Sequence, residues 1–273
     1  MQKSSLFHHK TIKKLCEKTD LTYKQIEASG KWLSYLDAGD LKKEKSNYPK
    51  FMKIILQDIL GFPMEDIGQE DENVDMLYPQ KGEKVLCVEC KGTGTEPDAL
   101  QHRDKKAQAT PITQTWDYVS NTGSAYGICT NYKEFVLMTR ADYPALHWFD
   151  FESIREEPEK LKEFVGIFSK ESLIDKSGFV EDLHKESVEE EKEFTTEFYK
   201  LFHQTRLMMI QAFQEKEGVT KDEAINYAQL YLNRLIFIFF AEDNKFLEKK
   251  LFMETVKKSL NSNIFESSKS VSN

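Results

Sequence analysis

Three side chains in this 273-residue chain combine residue type and spacing in a way that suits catalysis. Asp75 lies in Asn73-Val74-Asp75-Met76-Leu77. Glu89 and Lys91 close the run Val85-Leu86-Cys87-Val88-Glu89-Cys90-Lys91. Side chains alternate along a strand, so Glu89 and Lys91 share a face, and residues opposite one another across a hairpin approach to about 5 Å. Asp75 joins them if the hairpin register allows. Two carboxylates and a lysine at one strand end suit metal-assisted hydrolysis of a phosphodiester. Mg²⁺ prefers oxygen ligands, takes one or two carboxylates plus substrate phosphate, and keeps several waters. The Cys90 carbonyl, between Glu89 and Lys91, is a natural extra metal ligand. Lys91 can hold the attacking water or offset the charge that builds on the phosphate. The plain alternative is an exposed edge hairpin. Apolar residues on both faces of 85–88 argue instead for a central strand, where buried charges need partners.

The elements that must position these residues are legible in outline. The runs 73–79 and 84–91 flank Gln80-Lys81-Gly82-Glu83, a glycine-containing turn, and read as a β-hairpin. Ahead of them the spacing predicts helices over 11–18, from Thr22 to a stop at Gly39, and from Ser46 to Gly61. Behind them comes a Gly/Asp/Lys-rich loop, 92–110. Pro111 then opens a helix that ends at Gly123 and carries Gln114 and Tyr118 one turn apart. Strands over 125–130 and 134–139 meet at Asn131-Tyr132-Lys133, and 146–151 reads as a further edge strand. The expected fold is α/β (α+β): a mixed central β-sheet flanked by helices, followed by a helical domain. The expected division is a domain over 1–152, a solvated, charged connector over 153–192, and a helical domain over 193–273. In the last, helices span Glu193–Glu217 and Thr220–Phe240, the second opened by a Thr220/Glu223 capping box. Phe237, Phe239 and Phe240 read as core there, and the Ser/Asn-rich tail is expected to fray.

Composition sets the class. Apolar residues make up 40%, charged residues 31% and aromatics 12%, enough for a packed core and too aromatic for a disordered chain. Four cysteines in a chain of this length are no disulfide framework. The first residues hold no apolar signal stretch, and the longest apolar run, Leu235 to Ala241, falls far short of the roughly 20 residues of a membrane span. A cytoplasmic, non-membrane protein is expected. The net charge of −8 hides its distribution: residues 1–53 carry 12 lysines against 6 acids, whereas 152–193 carry 7 basic residues against 14 acids. Lys10, Lys13 and Lys14, with Arg103, Lys105 and Lys106 in the loop after the hairpin, are therefore candidate contacts to a phosphate backbone, with double-stranded DNA as the partner.

The ordered set Asp75, Glu89-x-Lys91 and Gln114-x-x-x-Tyr118 resembles the PD-(D/E)xK nuclease superfamily and its variant with a Q-x-x-x-Y helix. The stretch YGICTNYKEFVLM, with Thr130-Asn131, resembles the strand pair that follows that helix in restriction endonucleases. LNRLIFIFFAEDNKFL, 232–247, resembles the helical segment joining nuclease and methyltransferase in fused type IIG restriction–modification enzymes. The resemblance covers roughly residues 20–250. It implies a restriction-endonuclease-like fold, Asp75 and Glu89 as metal ligands and Lys91 as the catalytic lysine. Gln114 would support the metal-bound water or a phosphate, and Tyr118 would line the DNA face. The cofactor implied is Mg²⁺, with Mn²⁺ as a substitute, and dimerisation on DNA is compatible with a double-strand cut. An additional acid from an N-terminal helix is implied; Glu27 and Glu44 are both candidates, with Glu27 favoured. The proline usual before the aspartate is absent, Val74 standing there. The chain has no Pro-Pro, and its Gly92-Thr93-Gly94 opens into a polar loop, so no S-adenosylmethionine site is expected within it. Methyltransferase and specificity domains are expected in a longer parent protein. The rival readings are a repair exonuclease or junction resolvase of the same fold, and a catalytically inactive DNA-binding or scaffolding module. A zinc site at Cys87-x-x-Cys90 is disfavoured because strand residues three apart face opposite sides.

Overall fold

The structure, a computed structural model, describes residues 5–71, 74–103, 107–142, 146–244 and 246–269. The chain divides into two compact units, Met1–Lys192 and Glu193–Asn273.

The first unit is built on a six-stranded mixed sheet. Its strands are β1 (Gly68–Asp71), β2 (Val74–Tyr78), β3 (Leu86–Cys90), β6 (Tyr126–Thr130), β7 (Glu134–Thr139) and β8 (Leu146–Asp150), in that spatial order. All neighbours are antiparallel except β3 and β6, which run parallel. A parallel pair needs a crossover. Here it contains the small hairpin β4 (Gln101–Arg103) and β5 (Ala107–Ala109), then helix α4 (Pro111–Thr122). Thr110 caps α4 through a reciprocal box with Thr113, Pro111 occupies its first turn, and Gly123 ends it at φ 73°. The helix lies close on the sheet because β6 carries Gly127: a Cβ there would sit 2.7 Å from Val119 Cγ2.

The opposite sheet face is covered by α1 (His9–Lys18), α2 (Tyr23–Ala38), α3 (Tyr48–Phe51) with the π-helical turn Met52–Ile59 that continues it, and α5 (Lys160–Phe168). Thr22 and Gln25 form the capping box of α2, and Gly39 at φ 67° closes it. Side-chain alternation sorts the strands into two cores. Met76, Leu86, Val88 and Ile128 face these helices, while Leu77, Cys87, Cys129 and Val136 face α4.

Residues 153–192 are not a solvated connector. Leu161, Phe164, Ile167 and Phe168 of α5, then Leu173, Val180 and Leu183, belong to the main core. Phe164 packs 4.9 Å, centroid to centroid, from each of Phe135, Phe149 and Phe168. Such ring pairs contribute roughly 0.5–1.5 kcal/mol each beyond area burial. The many charges here lie outside the apolar stripe or pair locally, as Lys162 does with Glu159 at 2.9 Å.

Helix α6 spans Phe179–Glu217; α7 (Lys221–Asp243) and α8 (Leu251–Lys269) complete the second unit. Thr220 and Glu223 form the capping box of α7. Phe213 meets Tyr227 and Tyr231, and Phe239 meets Phe252 edge-on at 5.5 Å. The buried positions of α7 are small or few: Ala224, Ala228, Leu232 and Ala241. Phe237, Phe239 and Phe240 are therefore not core, being 69%, 44% and 57% exposed. The expected frayed tail is helical as far as Lys269. Among the described residues, no helix is long and apolar enough to cross a membrane.

Candidate active site at the divergence of β2 and β3

Met76 pairs with Val88 and Leu77 with Cys87, so continuing the register brings Asp75 opposite Glu89. There the ladder stops. The Cys90 backbone N–H donates to Asp75 Oδ2 at 2.8 Å, so a side-chain carboxylate takes the place of a strand partner. On its other edge β3 stays bound, the Lys91 N–H donating to the Thr130 carbonyl at 2.7 Å. The end of β3 is thus held on both sides, and its last side chains are fixed in direction.

Glu89 and Lys91 are almost fully buried, at 1% and 3% exposure. Lys91 Nζ donates to Glu89 Oε1 and to the Cys90 carbonyl, the latter at 3.0 Å, and lies 3.5 Å from Glu44 Oε2. Burial, then the nearby Asp75 charge, pushes the Glu89 carboxyl up to about 8, against the opposing pull of Lys91. Burial disfavours charge on Lys91, but Glu89, Glu44 and Asp75 outweigh it and hold its pKa above the ordinary lysine range. Three carboxyl groups, those of Glu89, Glu44 and Asp75, thus face one lysine in a buried place.

Glu44 is delivered by the segment between α2 and α3. The Lys42 carbonyl comes so near Gly92 that a Cβ there would lie 1.9 Å from it, so only glycine permits this path. Thr93 N–H donates to the Leu41 carbonyl at 3.1 Å, fastening the same contact. Asn47 Nδ2 donates back to the Asp40 and Lys43 carbonyls. Tyr132, fully buried at φ 70°, donates its hydroxyl to the Glu44 carbonyl at 2.7 Å, and its own carbonyl accepts from Trp32 Nε1 at 2.8 Å. Tyr48, four residues beyond Glu44, places its buried hydroxyl beside the Asp75 carboxylate. Burial and then that carboxylate push its pKa up, although the approach falls short of a formed hydrogen bond.

The other expected site residues are distributed differently. Gln114 donates to the Tyr118 hydroxyl on the same face of α4, both half-buried. Their neighbour Thr115 reaches Cys129, which pairs in register with Glu89. Glu27 is exposed on α2 and takes no part; of the two N-terminal acids, Glu44 reaches the cluster, because the loop rather than the helix crosses the end of β3. Lys10 and Lys14 are not an open phosphate-binding face. Lys14 pairs with Glu186 at 2.9 Å and Glu190 at 2.6 Å, and Lys10 with Glu190 at 3.3 Å. Lys13 is exposed. Arg103 ends β4, and Lys105 and Lys106 lie outside the described residues. Cys87 and Cys90 face opposite cores, and burial pushes the Cys87 thiol up to about 12 and Cys90 upward as well, which disfavours the thiolate a metal would need.

Among the described residues, no group of three or more His, Cys, Asp or Glu side chains is arranged to hold a metal ion. Comparisons with protein families, curated proteins and solved structures find no match for this chain.

Proposed function

We propose that the first unit is a metal-dependent deoxyribonuclease of the PD-(D/E)xK type, with a restriction-endonuclease-like fold, acting on double-stranded DNA. The observation that carries this reading is the meeting of Asp75, Glu89 and Lys91 at the point where β2 and β3 part, with Glu44 closing the cluster. By type, these oxygen donors would suit Mg²⁺ or Mn²⁺. The oxygens of Asp75 and Glu89, with the Cys90 carbonyl, would hold the ion, and water and substrate phosphate would complete its shell. Burial, then the Asp75 charge, raises the Glu89 pKa, and a divalent cation would offset the charge that Glu89 takes up on losing its proton.

Bound there, the ion would supply charge to the phosphate oxygens and acidify a water molecule. The protein's own groups would do the rest. The Cys90 N–H ties one oxygen of Asp75 to the strand end. Glu44 and Glu89 keep Lys91 protonated and aimed, so its ammonium can orient the attacking water and offset the charge on the pentacoordinate phosphorus. Water would add in line and give up a proton to solvent, while the bond from phosphorus to the leaving oxygen breaks and that oxygen takes up a proton. Gln114 and Tyr118 would meet substrate along the exposed edge of α4, with Arg103 on the preceding hairpin. The pairing of Lys10 and Lys14 with Glu186 and Glu190 offsets their charge, while Lys13 stays exposed on α1 as a proposed DNA contact. The resemblance of 232–247 to type IIG enzymes supports a role in restriction–modification, with methyltransferase and specificity domains in a longer parent.

The test is nicking of supercoiled plasmid by this chain in Mg²⁺ or Mn²⁺, abolished by EDTA and by Lys91→Ala. Metal-dependent nicking that survives Lys91→Ala would refute the assignment, as would no nicking with either metal.

A further inference from the structure

We propose that Tyr48 is a positioning residue for Asp75, its phenol hydroxyl fixing the Asp75 carboxylate in the orientation that a divalent cation requires. The inference rests on the metal site proposed above and assigns a role to a residue outside its ligands.

Tyr48 is 3% exposed, packed in the main core at the start of α3. Its hydroxyl is buried, lies beside the Asp75 carboxylate, and completes no hydrogen bond. A buried hydroxyl is expected to have a partner. Phenylalanine would fill the same apolar space without stranding one, so packing alone does not explain a tyrosine here. Asp75 supplies the missing partner. Its Oδ2 already accepts from the Cys90 N–H, and a carboxylate has lone pairs for both a metal and further donors. Metal-ligating carboxylates are commonly held by such outer donors. A phenol is protonated near neutral pH, as a donor must be.

The backbone explains how the hydroxyl is aimed. Glu44 precedes the 3₁₀ turn Lys45–Asn47, and Tyr48 follows it. One short segment thus presents an acid to Lys91 and a phenol to Asp75. Tyr132 anchors its start through the Glu44 carbonyl, and Asn47 braces it from within.

The experiment measures Mn²⁺ binding without DNA, from the paramagnetic resonance signal of free Mn²⁺, for the wild type, Tyr48→Phe, Asp75→Asn and the double variant, with thermal unfolding alongside. Tyr48→Phe should fold and weaken Mn²⁺ binding by about 10–100-fold. It should add no further loss in the Asp75→Asn background, because the hydroxyl acts through that carboxylate. Plasmid nicking by Tyr48→Phe should recover at saturating Mn²⁺. If Asp75→Asn loses the ion while Tyr48→Phe binds it as the wild type does, the positioning role is overturned and the metal site stands. An equal loss in both backgrounds also overturns it. A wild type that binds no Mn²⁺ removes the metal site and this role together. Should Tyr48→Phe fail to unfold cooperatively, 3-fluorotyrosine at position 48 keeps the hydroxyl. Its fluorine resonance should move on Mg²⁺ addition in the wild type and not in Asp75→Asn, and an unmoved wild-type resonance overturns the proposal.

Discussion

Replacing Glu89 with glutamine should stabilise the protein while destroying its proposed activity. The Glu89 carboxyl, ordinarily near 4.5, is pushed up to about 8 by burial and by Asp75. Between those values the folded chain keeps a proton that the unfolded chain releases, so this group's contribution to stability falls as pH rises. Each unit corresponds to about 1.4 kcal/mol. The gap from 4.5 to about 8 therefore corresponds to roughly 5 kcal/mol of stability lost by the wild type near pH 8. Glutamine is nearly isosteric with the protonated acid and loses none of it. Urea unfolding in EDTA, from pH 4.5 to 8.5, gives the stability of both proteins. Their difference should be near zero at the acidic end and widen steadily toward the alkaline end, and titrations of groups remote from Glu89 cancel in the subtraction. Asp75→Asn should flatten the same slope in part, since Asp75 is the second cause. Mg²⁺ should narrow the gap at pH 8 by stabilising only the wild type, as binding to the native state requires. A difference that does not change with pH would refute the claim that Glu89 is held in a dry, negatively charged place.

Lys91→Ala should lower the rate of plasmid nicking by about 10²–10³-fold, the usual cost of one transition-state donor. DNA affinity, measured by fluorescence anisotropy in Ca²⁺, should stay nearly intact. Gly92→Ala forces a Cβ against the Lys42 carbonyl; it should cost on the order of 1–3 kcal/mol in chemical unfolding and reduce nicking by displacing Glu44. His147 is buried beside Phe7 and Phe168, and burial pulls its pKa from 6.5 down to about 3. The unfolded chain thus binds a proton that the native state refuses. Stability should fall by about 1.4 kcal/mol per unit as pH drops through that window. His147→Gln should remove this component in acid titrations followed by circular dichroism.

The parts of the fold legible in the sequence were those governed by local rules. Period-two alternation and Gly82 mark the β2–β3 hairpin, Pro111 and Gly123 bound α4, and Gly39 ends α2. Strand β1, Gly-Gln-Glu-Asp, carries no apolar alternation and exists only because β2 offers it an edge. Charge density concealed α5: Lys160, Lys162 and Glu163 surround Phe164 and Phe168 in sequence, yet the aromatic side is buried. In the site, Glu89 and Lys91 announce themselves by type and spacing. Glu27 and Glu44 do not differ in any local signal. What separates them is the passage of the Lys42 carbonyl over Gly92, a contact between residues 50 apart. The lysines of α1 look like a cationic face until their partners, 172 and 176 residues away, are in place.

The placement of the tryptophans gives the molecule a spectroscopic asymmetry. All three, Trp32, Trp116 and Trp148, lie within Met1–Lys192, and Glu193–Asn273 has none. Indole emission therefore reports only on the sheet-bearing unit, with Trp32 fully buried against Phe51 and Tyr132 beneath the segment that carries Glu44. Far-ultraviolet ellipticity draws on the helices of both units. Following both signals through one denaturant titration separates the melting of the two units without cutting the chain or adding a label, and superimposable curves would mean that they unfold as one.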